Sequence, residues 1–444
     1  MRRWLALKDL LVDATLKTTD LVQETHQSVT QRVFGYAKWV EPLRESAELV
    51  ESLERVSSGV AYDGVRLGTQ LAGRLLDVGL NVARQAAGDA KPEVSTPMSS
   101  SAVGGVAWTR DAALGVLNGV VGDFLESREN GLSTPMSLRR AGEEIRAETN
   151  ALREALPDAS GKLCVFVHGL ACTEWSWSAY AEEVWGDPEV NYGSLLEAEH
   201  GFSVLYVRYN SGRRIATNGR ALAQLLEELL RAYPRPVDQL VLIGHSMGGL
   251  VSRSAAHYAT ELGLEWPDRL RHVFCIGSPH HGAPLEKAGN LLTNVLLAFD
   301  TPGTQLPGKV INARSAGIKD LRYGALLDDD WGGASVDALL DDRRRPVLPL
   351  PHVKHHFVAA SVSQDPDHPV GRVLGDLLVR RGSAEGEHPS KAIGLETGDR
   401  LVLGGVTHLG LVNEPRVYAQ LLAWLGEAPT AGDLRALERA QKAP

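Results

Sequence analysis

Cysteine is scarce in this chain of 444 residues: only Cys164, Cys172 and Cys275 occur. An odd number without a CxxC pair argues against a disulfide scaffold and fits a reduced, intracellular protein. No run of about 18 apolar residues is present, so no membrane-crossing helix is expected. The start, Met1-Arg2-Arg3, is basic, but Lys8, Asp9 and Asp13 interrupt any apolar segment behind it, and no small-residue cleavage site follows. A signal peptide is therefore not expected. A basic excess is missing as well: 46 Lys and Arg stand against 55 Asp and Glu, a net charge of −9. That balance does not suit a nucleic-acid partner. No internal repeat is visible. What is present, 43% hydrophobic and 23% charged residues, is the composition of a soluble globular protein with room for two or three units.

Residues 1–85 read as helical. Trp4, Leu7, Leu11 and Ala14 recur at helical spacing, as do Val29, Val33, Tyr36 and Val40. Gly64 and Gly68 form a GxxxG, which in a water-soluble helix means close packing rather than membrane dimerisation. Residues 86–107, rich in Pro, Ser and Gly, read as a linker, and a further helix is expected over 109–127. From about residue 160 the pattern changes. Apolar runs at 163–167, 203–208, 240–243, 273–276, 357–360 and 401–403 read as buried strands, with amphipathic helices between them, such as the one carrying Leu222, Leu226 and Leu229. Such alternation predicts an α/β fold with a mostly parallel sheet covered on both faces. The expected division is a helical N-terminal region at 1–150, a catalytic domain at 151–430 and a tail at 431–444.

Chemistry concentrates in two segments. Gly244-His245-Ser246-Met247-Gly248-Gly249 stands where one strand ends and an apolar helix begins. In that context G-x-S-x-G is a sharp turn that lifts a serine above the sheet. His168-Gly169-Leu170 closes the strand at 163–167, and a glycine there lets a backbone N–H point into a site. Attack on an ester carbonyl needs two such donors for the oxyanion. Leu170 and Met247 would supply them, with His168, Gly169 and His245 around the substrate.

These segments resemble the oxyanion loop and nucleophile elbow of the α/β-hydrolase superfamily, of lipase and esterase type. Gly277-Ser278-Pro279-His280-His281-Gly282-Ala283-Pro284 is similar to a segment shared by lipases and deacylases of the GPI-inositol-deacylase type. The resemblance spans roughly 160–425 and does not extend to residues 1–150. It implies the α/β-hydrolase fold and the triad order Ser, acid, His. The histidine is then His408, in Thr407-His408-Leu409-Gly410 after the last strand. For the acid, Gly375-Asp376-Leu377-Leu378-Val379 resembles the lipase aspartate loop, with Leu377 and Arg380 where that loop has Gly and Pro. Asp376 is preferred; Asp365, closer to the preceding strand, is the alternative. Gly410 occupies the place of the calcium-binding aspartate of some bacterial lipases, so no metal and no cofactor are expected.

Substrate features are softer. Trp175 and Trp177 follow the oxyanion loop, where aromatic rings either wall an acyl pocket or pack under a cap. A long insert, about 284–350, contains Leu291, Leu292, Val295, Leu296 and Phe299, an apolar helix that reads as a lid or as extra core. The run Asp328-Asp329-Asp330 reads as solvated loop. Together these readings predict a serine hydrolase of lipid-like carboxylic esters, cytoplasmic or in peripheral contact with a membrane. An acyltransferase or thioesterase on the same fold is the alternative, and a non-catalytic scaffold the reading from another class.

Overall fold

The structure is a computed structural model; it describes residues 100–282, 315–331, 344–366, 368, 375–376, 378–386, 395 and 398–442. The helices expected within 1–85 and the lid helix around Leu291–Phe299 lie outside these residues.

The first described element is helix α1 (Ser100–Ser127), which begins nine residues before the expected start at 109. Val121 breaks it with non-helical dihedrals. The cause is visible in the ladder: Ser315 takes the carbonyls of Gly119 and Val120, and the Asn210 amide takes that of Gly122. Outside donors that capture helix carbonyls kink a helix.

A hairpin of β1 (Ser137–Arg140) and β2 (Glu143–Ile145) follows, then α2 (Thr149–Ala155) and β3 (Lys162–Val167). Next come a short 3₁₀ turn at Glu174–Ser178, α3 (Ala181–Trp185), α4 (Tyr192–His200), β4 (Ser203–Arg208) and α5 (Ile215–Ala232). The chain continues through β5 (Gln239–His245), α6 (Met247–Glu261), β6 (Leu270–Ile276), α7 (Ala316–Asp320) and β7 (Lys354–Ser361). It closes with α8 (Arg381–Ala384), β8 (Asp399–Gly404), α9 (Pro415–Leu425) and α10 (Ala431–Lys442). All six expected strands are present. The hairpin is new: it lies inside the region read as helical, and β1 pairs antiparallel with β4 in the main sheet. Its residues, SLRR and EEI, are mostly polar and carry no buried-strand signature, although Leu138 and Ile145 are buried and β1 is paired on both sides.

The eight strands are ordered β2-β1-β4-β3-β5-β6-β7-β8, parallel from β4 to β8. Alternate residues of β3 feed two cores. Leu163, Val165 and Val167 pack with Leu222, Leu226, Leu250 and Val251 on the side of α5 and α6. Cys164 and Phe166 pack on the opposite side with Trp185, Tyr418 and Leu421. The strand order reverses between β3 and β5, and the crevice at the carboxyl ends of strands flanking such a point is where open α/β sheets place their ligands.

The acidic run departs from its expected solvated role. Asp330 is buried, and its carboxylate accepts the N–H groups of Leu326, Leu327 and Arg345.

Candidate active site

Strand β5 ends at His245, and Ser246 stands in the turn to α6 with φ 55° and ψ −123°. A non-glycine residue there costs on the order of 1–3 kcal/mol. The turn is held because the Ser246 N–H donates to the Ile276 carbonyl of β6 at 2.8 Å. It is also possible only with glycines at two positions. A Cβ on Gly244 would lie 2.3 Å from the Gly249 nitrogen, and one on Gly248 would lie 2.1 Å from the Val167 carbonyl oxygen. The motif thus brings strand, turn and helix into backbone contact.

The loop after β3 lies against this elbow: a Cβ on Gly169 would be 3.0 Å from the Ser246 Cβ. Ala171 holds φ 58°, and its N–H donates to Ser211 Oγ at 3.0 Å. Neither the Leu170 N–H nor the Met247 N–H donates a hydrogen bond among the described residues. Met247 is the first residue of its helix, so its N–H has no acceptor within the helix. Two uncommitted backbone donors therefore stand beside the serine loop.

On the other side, Asp376 and His408 meet. His408 Nδ1 is 2.7 Å from Asp376 Oδ2. The other oxygen of this buried carboxylate accepts the N–H groups of Leu378 at 3.0 Å and Val379 at 2.8 Å. The His408 N–H also donates to the Asp376 carbonyl at 3.1 Å, so backbone and side chain are registered together. Gly375, at φ 56°, makes the bend, since a Cβ there would lie 1.9 Å from the Val379 carbonyl oxygen. Asp365, the alternative acid, is on an exposed turn. With Nδ1–H given to a carboxylate, the free Nε2 of His408 is the tautomer that accepts a proton. The ring lies by Gly277, with His408 Cε1 3.2 Å from a Cβ placed there. The Ser246 hydroxyl is not hydrogen-bonded to His408 among the described residues; such contacts are often loose before substrate binds.

A parallel sheet of this order, with a strained serine between β5 and α6 and a histidine–aspartate pair beyond β8 and β7, decides the fold. The chain has the α/β-hydrolase fold. Residues 158–331 match the PGAP1-like alpha/beta domain family. Similar solved structures include the mature Bacillus licheniformis lipase BlEst2, at 17% identity and TM-score 0.37, covering 66% of this chain and 100% of that one. A lipase-esterase related protein from Clostridium acetobutylicum ATCC 824 aligns at 15% identity and TM-score 0.31 over 61% and 95% of the two chains. The lin2722 product of Listeria innocua does so at 15% and 0.35 over 61% and 96%.

Around this candidate site the residues expected to touch substrate divide. His168 is fully buried. The Tyr209 N–H donates to its Nε2 at 3.3 Å, so the proton sits on Nδ1, which donates to the Gly169 carbonyl at 2.8 Å. Burial pulls its pKa down to about 4. His168 is thus a neutral anchor of the loop. His245 is likewise buried, and its Nε2–H donates to the His408 carbonyl at 3.0 Å. Burial, with His408 and His168 nearby, pulls it down to about 3. The residue before the serine therefore holds the backbone of His408. Trp175 packs at the sheet edge, where a Cβ on Gly142 of the β1–β2 turn would lie 2.5 Å from its ring. Trp177 is buried, edge-on to Phe166 at 4.9 Å and to His245 at 6.2 Å.

Two residues that the sequence did not single out complete the frame. Asn413, fully buried, donates to the carbonyls of Trp177 at 3.0 Å and Ala179 at 2.8 Å and accepts from Trp185 Nε1 at 3.0 Å. It ties the segment after the β3 loop to the segment after His408. Glu174 pairs with Arg208 at the end of β4, Nε to Oε2 at 2.7 Å, fixing the same segment from the other side. Among the described residues no group of three or more His, Cys, Asp or Glu side chains is arranged to hold a metal ion.

Proposed function

We propose that the protein is a serine hydrolase of carboxylic esters. The observation that carries this reading is the buried Asp376–His408 hydrogen bond at 2.7 Å, set in the loop that shares His245 with the strained Ser246. Ser246 Oγ attacks the ester carbonyl while its proton passes to His408 Nε2. The N–H groups of Met247 and Leu170 hold the oxyanion, which collapses to an acyl-serine as His408 returns the proton to the leaving alcohol. Water, deprotonated by the same nitrogen, then releases the acid. Asp376 keeps the imidazole in its tautomer and stabilises the imidazolium.

Lipid-like esters are the favoured class. Val120 and Phe124, on either side of the Val121 break in α1, are both exposed. On the same helix, a Cβ on Gly119 would lie 2.7 Å from the Cα of Ala171 in the loop after β3. Exposed apolar side chains so near the serine loop suit an amphiphilic substrate better than a small polar one. A fluorophosphonate probe tests the chemistry. Wild-type protein should be labelled and Ser246→Ala should not; folded wild type that resists the probe removes the enzymatic reading.

A further inference from the structure

Helix α6 carries Ser246 at its head, and its far half lines a cavity that ester chemistry does not use. The cavity measures about 270 Å³, and its walls come from Arg253, Ala256, His257 and Thr260, from residues 346–350, and from His355 at the head of β7. At 1.5 Å per residue, these α6 positions lie about 10–20 Å along the helix from the serine.

Arg253 is the unusual group. It is 4% exposed. Its Nη1 donates to His280 Nδ1 at 3.1 Å and its Nη2 to the Val347 carbonyl at 3.0 Å. Neither acceptor is an anion. Among the described residues no carboxylate lies within ion-pair distance of Arg253. Arg344 donates to the His280 carbonyl, which places a second guanidinium near by. Burial, offset only partly by Cys275 and deepened by Arg344, pulls the Arg253 pKa down to about 10, which leaves it charged at neutral pH. His355 is pulled down to about 4, mainly by burial, and stays neutral. His257 is 3.3 Å from Glu261, a half-exposed carboxylate one turn further on. The wall thus holds one buried positive charge without a negative partner, and a buried charge without a partner is destabilising.

The remaining wall is apolar. Val347 is buried, and Leu348 is 72% exposed. Leucines seldom stand so bare beside a cavity without something to cover them, and a chain lying along 347–350 would do so. We propose that this cavity binds a singly charged organic anion with an apolar body, of the medium-chain carboxylate class, its head on Arg253 and its chain along Val347, Leu348 and Leu350. Arg253 is the one guanidinium in the wall among the described residues, Arg344 standing behind it on His280, and one carboxylate balances it. The inference stands apart from the ester chemistry, since none of its residues belongs to the proposed catalytic set.

Calorimetric titration of the full chain with octanoate tests it. Wild type should bind at one site, with octanol and inorganic phosphate failing to compete. Arg253→Met should weaken binding at least tenfold. Leu348→Asp, a change at an exposed position that leaves the core intact, should also weaken it at least tenfold by placing a negative charge at the cavity lip. Octanoate affinity that survives both substitutions belongs to another place, the serine crevice included, and overturns the proposal. So does a wild type that takes up no octanoate, or one in which phosphate competes as well as octanoate does.

Discussion

The two ends of the central strands are both lined with buried histidines, yet they are built differently. At the carboxyl ends, backbone strain gathers: Ser246, Ala171, Gly277 and Gly375 all have positive φ. His168, His245 and His408 each spend ring nitrogens on chosen backbone or carboxylate partners there. At the amino ends, His272 Nδ1 is 2.9 Å from His356 Nε2, and the His356 ring stacks between Phe274 at 4.5 Å and Trp424 at 4.8 Å. That cluster sits in paired strand backbone without positive φ, beside a bulge where β6 gains one residue on β5 between Leu270 and His272. The contrast lies in the backbone: both ends hold a histidine beside a carboxylate, His356 Nδ1 being 3.1 Å from Asp399 Oδ2, but only at the carboxyl ends do these histidines stand beside positive-φ turns. Strain marks the first cluster and is missing from the second.

Substitution of the acid should break the comparison most sharply. Asp376→Asn is expected to lower kcat by about 10⁴ with little loss of stability, whereas Asp365→Asn should stay within about twofold. Esterase kinetics on the two variants decide it, and the reverse ranking would move the acid to Asp365.

Acid should come next. His168 and His245 hold pKa values near 4 and 3 when folded, but an unfolded imidazole takes its proton near 6.5. As pH falls below about 6.5 the unfolded chain binds protons that the folded one refuses, so stability drops. Each of the two contributes about 1.4 kcal/mol per pH unit until its folded pKa is reached. Urea unfolding at pH 7, 5.5 and 4.5 should show midpoints that fall steadily, and a flat profile would contradict the buried neutral rings. The smallest effect on activity is expected at the other end. His272→Phe keeps a flat ring but leaves the buried Nε2 of His356 without its partner, so it should leave kcat within about twofold while costing about 1–3 kcal/mol of stability.

How far the sequence showed all this depends on the kind of signal each residue leaves. Central strands such as Leu163–Val167 are buried on both faces and appear as unbroken apolar runs. The edge hairpin is missed because SLRR and EEI are half solvated and look like any polar turn. Ser246 is legible since its strain demands glycines at fixed offsets, and His408 and Asp376 through the chain order a triad must keep. His245 could be placed near the serine but not given its task, because its bond to the His408 carbonyl joins residues 163 apart. Asn413 leaves no trace in Leu411-Val412-Asn413-Glu414, for its three partners are all distant in sequence. The acidic run at 328–330 misleads for another reason: local charge predicts solvent, while the N–H groups of Leu326 and Leu327 in the same turn, with that of Arg345, meet the Asp330 carboxylate.

The separation between serine and histidine also orders events during synthesis. Ser246 is followed by about 160 residues before His408 is made, a wait of roughly 8–30 s at ordinary rates of 5–20 residues per second. Strands β3 to β5 can form in that interval, but His408, the backbone that registers Asp376 and the Asn413 tie all arrive together at the end. On the proposed mechanism, a growing chain on the ribosome, or one cut short anywhere between, would carry the serine without its proton acceptor. Activity would then switch on late, just after β8 completes the sheet.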